Sequence, residues 1–282
     1  MISVVLATYN EEKNLKRCLD SVKSFADEII VVDGSSTDKT RELAKELGAK
    51  VIKTTNKPNF HINKQMAMDE AKGELVLQMD ADEVIDDELA AFIKKTHQEV
   101  LKLKKDKVNC EAREGALGQK NLELKIKNLE YPAAWWLKRK NLFLNTWLKK
   151  GGQYPDPVIR LYVNGFARLP QKDVHEQMQV DGDTAWADGH LLHYSNPEFK
   201  DYLRKFQAYT SLKASQLYEQ KVKINLINSI NHLIVKPTVT FLSLFIRHKG
   251  FVDGIAGFVF ALFSGLHHSV AYLKLWELYE RK

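Results

Sequence analysis

Two carboxylates one residue apart, Asp80 and Asp82, stand in the run Asp80-Ala81-Asp82-Glu83. Carboxylate oxygens are hard ligands, and a pair at this spacing can share one divalent cation such as Mg2+ or Mn2+. A cation held this way commonly accompanies a phosphate-bearing substrate. Two other polar clusters follow short apolar runs: Thr8-Tyr9-Asn10-Glu11-Glu12 and Asp33-Gly34-Ser35-Ser36-Thr37-Asp38. Singly, each has a plain structural explanation. Asn10 and Asp38 are good helix caps, Gly34 with its serines turns a chain, and Asp80 and Asp82 suit a solvated turn.

The elements that must position these clusters make the convergence informative. Apolar runs predict strands at Ile2–Ala7, Glu28–Val32, Lys50–Lys53 and Leu75–Met79. Helical spacing predicts helices at Asn14–Ser24, Thr37–Leu47 and Ile62–Ala71, with another beginning at Asp86. This alternation implies an α/β fold with a parallel sheet, right-handed crossovers and helices on both faces. The three polar clusters then lie past the carboxyl ends of the first, second and fourth strands, where open α/β sheets bind ligands. A dinucleotide site is excluded, because the turn after the first strand holds no glycine where a G-x-G-x-x-G loop would approach a pyrophosphate.

The 282 residues suffice for one large domain or a domain with an appendage. Two cysteines, Cys18 and Cys110, supply no disulfide or metal framework, and Met1–Ala7 is too short for a secretory signal. The net charge of +6 is uneven: residues 94–150 hold 15 Lys/Arg against 6 Asp/Glu. This block fits an anionic membrane surface or a solvated helix face. No nucleic-acid-binding motif accompanies it, so no nucleic-acid partner is expected. Leucines and lysines in the insert near 97–130 predict one or two exposed helices, or a hairpin broken near Gly115–Gly118. Tyr131, Trp135, Trp136 and Trp147 suit either an interfacial patch or a core.

The C-terminal region is apolar. Thr238–Ile246 is one run of 9 residues, and Gly254–Leu273 is a second, 20 residues without Asp, Glu, Lys or Arg. Lys236, Arg247, Lys249, Lys274, Arg281 and Lys282 flank them. The first run is too short to span a bilayer, and the pattern favours two helices lying in or dipping into one leaflet. The expected organisation is a catalytic domain over 1–195 and a membrane-associating helical region over 196–282.

Ala7-Thr-Tyr-Asn-Glu11, Val31-Val-Asp-Gly-Ser-Ser-Thr-Asp38 and Leu77-Gln-Met-Asp-Ala-Asp-Glu83 together resemble the family 2 glycosyltransferases of GT-A fold. Gly151-Gly-Gln-Tyr-Pro-Asp156, Ile159-Arg-Leu-Tyr162, Val174-His-Glu176, His193-Tyr-Ser195 and Gly250-Phe-Val-Asp-Gly254 look more narrowly like the bacterial lipopolysaccharide-core β-glucosyltransferase branch. The resemblance implies an inverting transfer from a UDP-sugar donor to a glycolipid or cell-envelope polysaccharide. It also implies a divalent cation, Mn2+ or Mg2+, and a place on the cytoplasmic face of the inner or plasma membrane. Thr8, Asn10, Glu11, Asp33, Lys64 and Asp80 would contact the nucleotide sugar. Gln65 stands where the family usually has Asn. Asp80 and Asp82 would hold the metal, with His193 as third ligand and His190 its alternative. The acceptor hydroxyl must lose a proton as it attacks; Glu176 is the expected base, with His175 orienting it, and Asp156 is the runner-up.

Three other readings compete. A polyprenyl-phosphate glycosyltransferase shares the donor half, but its acceptor is already an oxyanion and needs no base. A sugar-phosphate nucleotidyltransferase would open with a Gly-rich basic loop, which residues 7–14 lack. A catalytically degenerate, membrane-associated binding protein of the same fold has no need of Asp33, Asp80 and Asp82 together.

Overall fold

A computed structural model of the protein describes residues 1–111, 131–170 and 177–281. Two compact units divide the chain: Met1–Arg139 with Pro157–His193, and Lys140–Asp156 with Tyr194–Lys282. Most of the lysine-rich insert, together with His175 and Glu176, lies outside the described residues.

The first unit opens with the expected alternation: β1 (Ile2–Thr8), α1 (Glu12–Val22), β2 (Glu28–Asp33), α2 (Thr40–Glu46), β3 (Lys50–Lys53), α3 (Phe60–Asp69) and β4 (Leu75–Met79). A three-residue strand follows, β5 (Glu83–Ile85), and then α4 (Asp87–Glu111). The later strands are β6 (Ala134–Phe143), β7 (Thr146–Trp147), β8 (Asp156–Val163), β9 (Ala167–Arg168), β10 (Gln179–Val180) and β11 (Thr184–Asn196). The main sheet runs β3-β2-β1-β4-β8-β6-β11-β5, with β7 paired to β6. β1 is parallel to β2 and β4, whereas β8 is antiparallel to β4 and β11 to β5. The sheet is therefore mixed and flanked by helices.

The period of two along β1 explains the layers. Val4 and Leu6 face α1 and join Leu15, Cys18, Leu19 and Val22 in one buried cluster. Val5 points the other way, to Ala67 and Met68 of α3. Burying each large aliphatic side chain contributes about 2 kcal/mol, so both sheet faces must be covered. Trp135 is also in the core, while Trp136 and Trp186 meet with ring centroids 6.2 Å apart nearer the surface.

Besides β7, the second unit holds the C-terminal helices: α5 (Phe199–Glu219), α6 (Leu226–Arg247), a 3-10 turn (Gly250–Asp253) and α7 (Gly254–Glu280). Within α6, Asn231–Val235 and Ser243–Arg247 form π turns. In the first, Lys236 N donates to Asn231 O, five residues back. Pro237 follows it; it has no N–H, and its ring crowds the carbonyl four residues earlier, so a wider turn accommodates it. Close backbone approach shapes the α6–α7 corner. A Cβ on Gly257 would stand 2.0 Å from Gly250 O, and one on Gly250 would stand 2.7 Å from Leu244 O. Asp253 in the same corner accepts from Lys149 N at 3.0 Å and Lys150 N at 2.9 Å.

The apolar run read at Thr238–Ile246 is thus part of a 22-residue helix, extended on its N-terminal side by residues with helical but less apolar character. Leu226–Arg247 and Gly250–Glu280 are both long and apolar enough to cross a membrane. Their surfaces are largely uncovered: Leu226, Ile227, Ile234, Val239 and Ile255 are all exposed. This is consistent with membrane association.

Candidate active site

Strand register brings the first two polar clusters together. Thr8 is the parallel neighbour of Asp33, and its hydroxyl donates to Asp33 Oδ2 at 3.5 Å. Asp33 is fully buried; its Oδ1 accepts from Ser36 N at 3.0 Å and Arg41 Nε lies 3.6 Å away. Asn10 adopts φ 56, in the left-handed region that Asn tolerates better than most residues. Its Oδ1 accepts from Thr37 N at 2.8 Å, and its own N donates to Ser36 Oγ at 2.9 Å. Glu11 N donates to Thr40 Oγ1 at 2.8 Å. Thr8, Asn10, Glu11 and Asp33 therefore form one edge, in which Asn10 joins the loop after β1 to the loop after β2.

The third cluster supplies the charge. Asp80 Oδ1 lies 2.5 Å from Lys64 Nζ, and Oδ2 lies 2.6 Å from Arg160 Nη2. Arg160 also reaches Glu83 Oε1 at 3.3 Å and hydrogen-bonds Gln78. Arg139 Nη1 is 3.5 Å from the same Glu83 oxygen. Glu83 is fully buried and returns a contact to the turn, accepting from Asp80 N at 2.9 Å. Burial penalises the Asp80 carboxylate, but Arg160 and Lys64 outweigh it and hold its pKa well below the usual range. For Lys64 burial wins: its pKa is lowered although Asp80 pulls it up. The Lys64 ammonium also lies 4.8 Å from the centroid of the Phe60 ring, a cation–π contact. Burial, reinforced by Glu83, Asp82, Asp80 and Glu11, pushes the Cys18 thiol up, so Cys18 is an inert core residue.

His193 is the antiparallel partner of Glu83 across β11 and β5. This register sets His193 Nε2 3.3 Å from Asp82 Oδ2, and His193 acts electrostatically on Asp80 as well. His190 lies three residues back along β11 and stands with Asp86 instead, its Nδ1 3.0 Å from Asp86 Oδ2. Asp86, Glu88 and His190 place their ligand atoms within 4.8 Å of one another. Asp86 Oδ1 also accepts from Leu89 N at 2.9 Å and His190 N at 3.0 Å, so Asp86 caps α4. The donor set of Asp82, His193 and the adjacent Asp80 fits a divalent cation in its chemistry, two carboxylates and an imidazole. Lys64 and Arg160 already engage Asp80, whereas Asp82 faces His193.

A cavity of about 220 Å³ opens beside this network, lined by Phe60, His61, Lys64, Asp80, Arg139 and Arg160 among others. Its cations answer anionic ligands, and sequence reasoning anticipated only Lys64. Arg160 was hidden because its partner Gln78 lies 82 positions away; only the antiparallel pairing of Leu77 with Leu161 makes them neighbours. Of the expected bases, Asp156 belongs to the second unit, where Oδ2 accepts from Asn141 Nδ2 at 2.9 Å; Glu176 and His175 fall outside the described residues.

Comparison with known proteins identifies the family. The glycosyl transferase family 2 profile matches residues 3–165, more than half of the chain. An uncharacterized glycosyltransferase of Rickettsia typhi is 28% identical over 98% of this chain and 87% of its own length. The poly(ribitol-phosphate) beta-N-acetylglucosaminyltransferase TarS of Staphylococcus aureus is 36% identical over 38% of this chain and 21% of its own length. Among solved structures, S. aureus TarS 1–349 aligns over 97% of this chain and 87% of that one, with 16% identity and a TM-score of 0.40. Glucosyl-3-phosphoglycerate synthase of Mycobacterium tuberculosis, solved with Mg2+ and uridine diphosphate, aligns over 33% of this chain and 37% of that one, with 27% identity and a TM-score of 0.30. The mixed, helix-flanked sheet with its polar strand ends is a GT-A-like fold, and the chain belongs to glycosyl transferase family 2: it is a glycosyltransferase.

Proposed function

We propose that the protein is a metal-dependent, inverting glycosyltransferase that moves a sugar from a UDP donor to a glycolipid or cell-envelope polysaccharide. The observation that carries this reading is the facing pair Asp82–His193, 3.3 Å apart, beside Asp80 at the end of β4. Asp82 and His193 would hold a divalent cation, with Asp80 contributing; when bound, the cation neutralises charge that develops on the leaving diphosphate. Asp33 and Thr8, on the neighbouring strand ends, would meet the uracil and its ribose, and Asn10 and Glu11 shape that edge. Lys64, Arg139 and Arg160 would surround the anionic donor with fixed positive charge, which needs little reorganisation as the reaction proceeds.

Glu176 is the proposed base, taking the proton from the acceptor hydroxyl, with His175 orienting it and Asp156 the alternative. TarS, a relative over part of the chain, is named a poly(ribitol-phosphate) beta-N-acetylglucosaminyltransferase, which supports a polymer acceptor here. The exposed apolar faces of α6 and α7 support docking on a membrane, proposed to be its cytoplasmic face, with a catalytic domain over 1–195 and a membrane-associating helical region over 196–282. The purified protein, incubated with a panel of UDP-sugars, should release UDP with at least one of them, and only when Mn2+ or Mg2+ is supplied. Equal turnover after chelation would refute the metal-dependent reading.

A further inference from the structure

Glu83 has a place in the site that substrate contact does not explain. It is fully buried, and it is not among the described residues that line the cavity of about 220 Å³. A buried carboxylate is unfavourable unless it is paired, and both Glu83 oxygens are engaged. Oε2 accepts from Asp80 N at 2.9 Å, while Glu83 N donates to Asp80 O at 3.0 Å. This reciprocal pair closes the turn that carries Asp82. Oε1 faces two guanidinium groups, Arg160 Nη2 at 3.3 Å and Arg139 Nη1 at 3.5 Å.

The two arginines stand on strands that β5 does not pair with. Arg139 is on β6 and Arg160 on β8, whereas the hydrogen-bonded neighbour of β5 is β11. The Glu83 side chain therefore makes a connection that the sheet itself does not. Both arginines line the cavity, together with Lys64 and Asp80. Two like charges brought to one oxygen repel each other, and the carboxylate between them offsets that repulsion. An arginine side chain has many rotamers, so one that is held before a ligand arrives loses less freedom on binding. Arg160 is anchored further by Asp80 and Gln78, and Glu83 is the group that ties it to Arg139.

We propose that Glu83 is a positioning residue: from behind the cavity wall it holds the Arg139 and Arg160 guanidinium groups where they meet the diphosphate of the donor. The proposal rests on the reading of this site as a UDP-sugar site and adds a residue that acts on the donor only through others.

Calorimetric titration of UDP in the presence of Mn2+ tests it, because removing the Glu83 charge has two opposite consequences. Through space alone, Glu83→Gln makes the cavity more cationic and tightens UDP binding. Loss of the arginine geometry weakens it. The expected result is binding weaker by about tenfold, measured well below the thermal midpoint of the variant. Glu83→Asp keeps the charge and withdraws the carboxylate by one methylene; it should weaken binding by about threefold or more, and it carries the test if the Gln variant does not fold. On an Arg139→Gln background, Glu83→Gln should weaken binding by only about threefold or less, because part of what it positions is already gone. Unchanged or tighter binding in Glu83→Gln, or wild-type binding in Glu83→Asp, overturns the positioning role while leaving the donor site standing. An equal loss with and without Arg139 shows that Glu83 acts through the fold at large, and overturns the role as well. No UDP binding by the wild type with Mn2+ overturns the donor reading and this proposal with it.

Discussion

Asp80 and Asp82 are separated by one residue and have different surroundings. Asp80 is held by Lys64 and Arg160, whereas Asp82 faces His193. Their substitutions should therefore separate stability from function. Arg160→Met leaves Asp80 to Lys64 and the buried Glu83 to Arg139 alone, 3.5 Å away, and weakening a buried network of this kind costs up to about 3–5 kcal/mol; urea unfolding should show a loss of about 2 kcal/mol or more. A loss below about 1 kcal/mol, the range of an exposed ion pair, would mean that the network is not structural. Glu176→Gln should leave UDP affinity unchanged and lower transfer by about 100-fold or more, the usual contribution of a general base. Transfer at the wild-type rate would shift the role to Asp156, whose Asn variant is the matching measurement.

Among the elements, β1 to β4 were legible because each is a short apolar run closed by polar residues, a signal contained within a few positions. β5 was not, since three residues carry no usable periodicity and its pairing with β11 spans about a hundred positions. The same limit hid Arg160 and the Arg139–Glu83 contact, while the Asp82–His193 pairing was reachable only through family resemblance. The start of β4 permits a test by pH. Burial opposes ionisation of Glu74, but the N-terminal amine and Lys104, 3.2 Å away, bring its pKa from 4.5 down to about 2. A depressed folded pKa contributes stability above the unfolded value that is lost as pH falls through the folded one. Glu74→Gln should therefore flatten the acid-side loss of stability between pH 4.5 and about 2; parallel curves for variant and wild type would contradict this. In the helical unit, Gly257→Ala forces a Cβ onto Gly250 O and should cost about 1–3 kcal/mol, read as a lower thermal midpoint in detergent.

On the scale of the whole molecule, a sheet with polar strand ends and a pair of largely uncovered apolar helices serve one proposed task, chemistry on a soluble donor next to a lipid surface. Ile227, Ile234, Val239 and Ile255 are exposed, so replacing all four with Ser should leave folding intact and abolish cosedimentation with vesicles. Retained binding would move the membrane contact elsewhere. The central claim, that Asp82 and His193 hold the cation that holds the donor, is tested most directly by titrating UDP into the protein with and without Mn2+, in the wild type and in Asp82→Asn. Mn2+ should tighten UDP binding at least about tenfold in the wild type and have no effect in the variant. Equal Mn2+ enhancement in both proteins would contradict it.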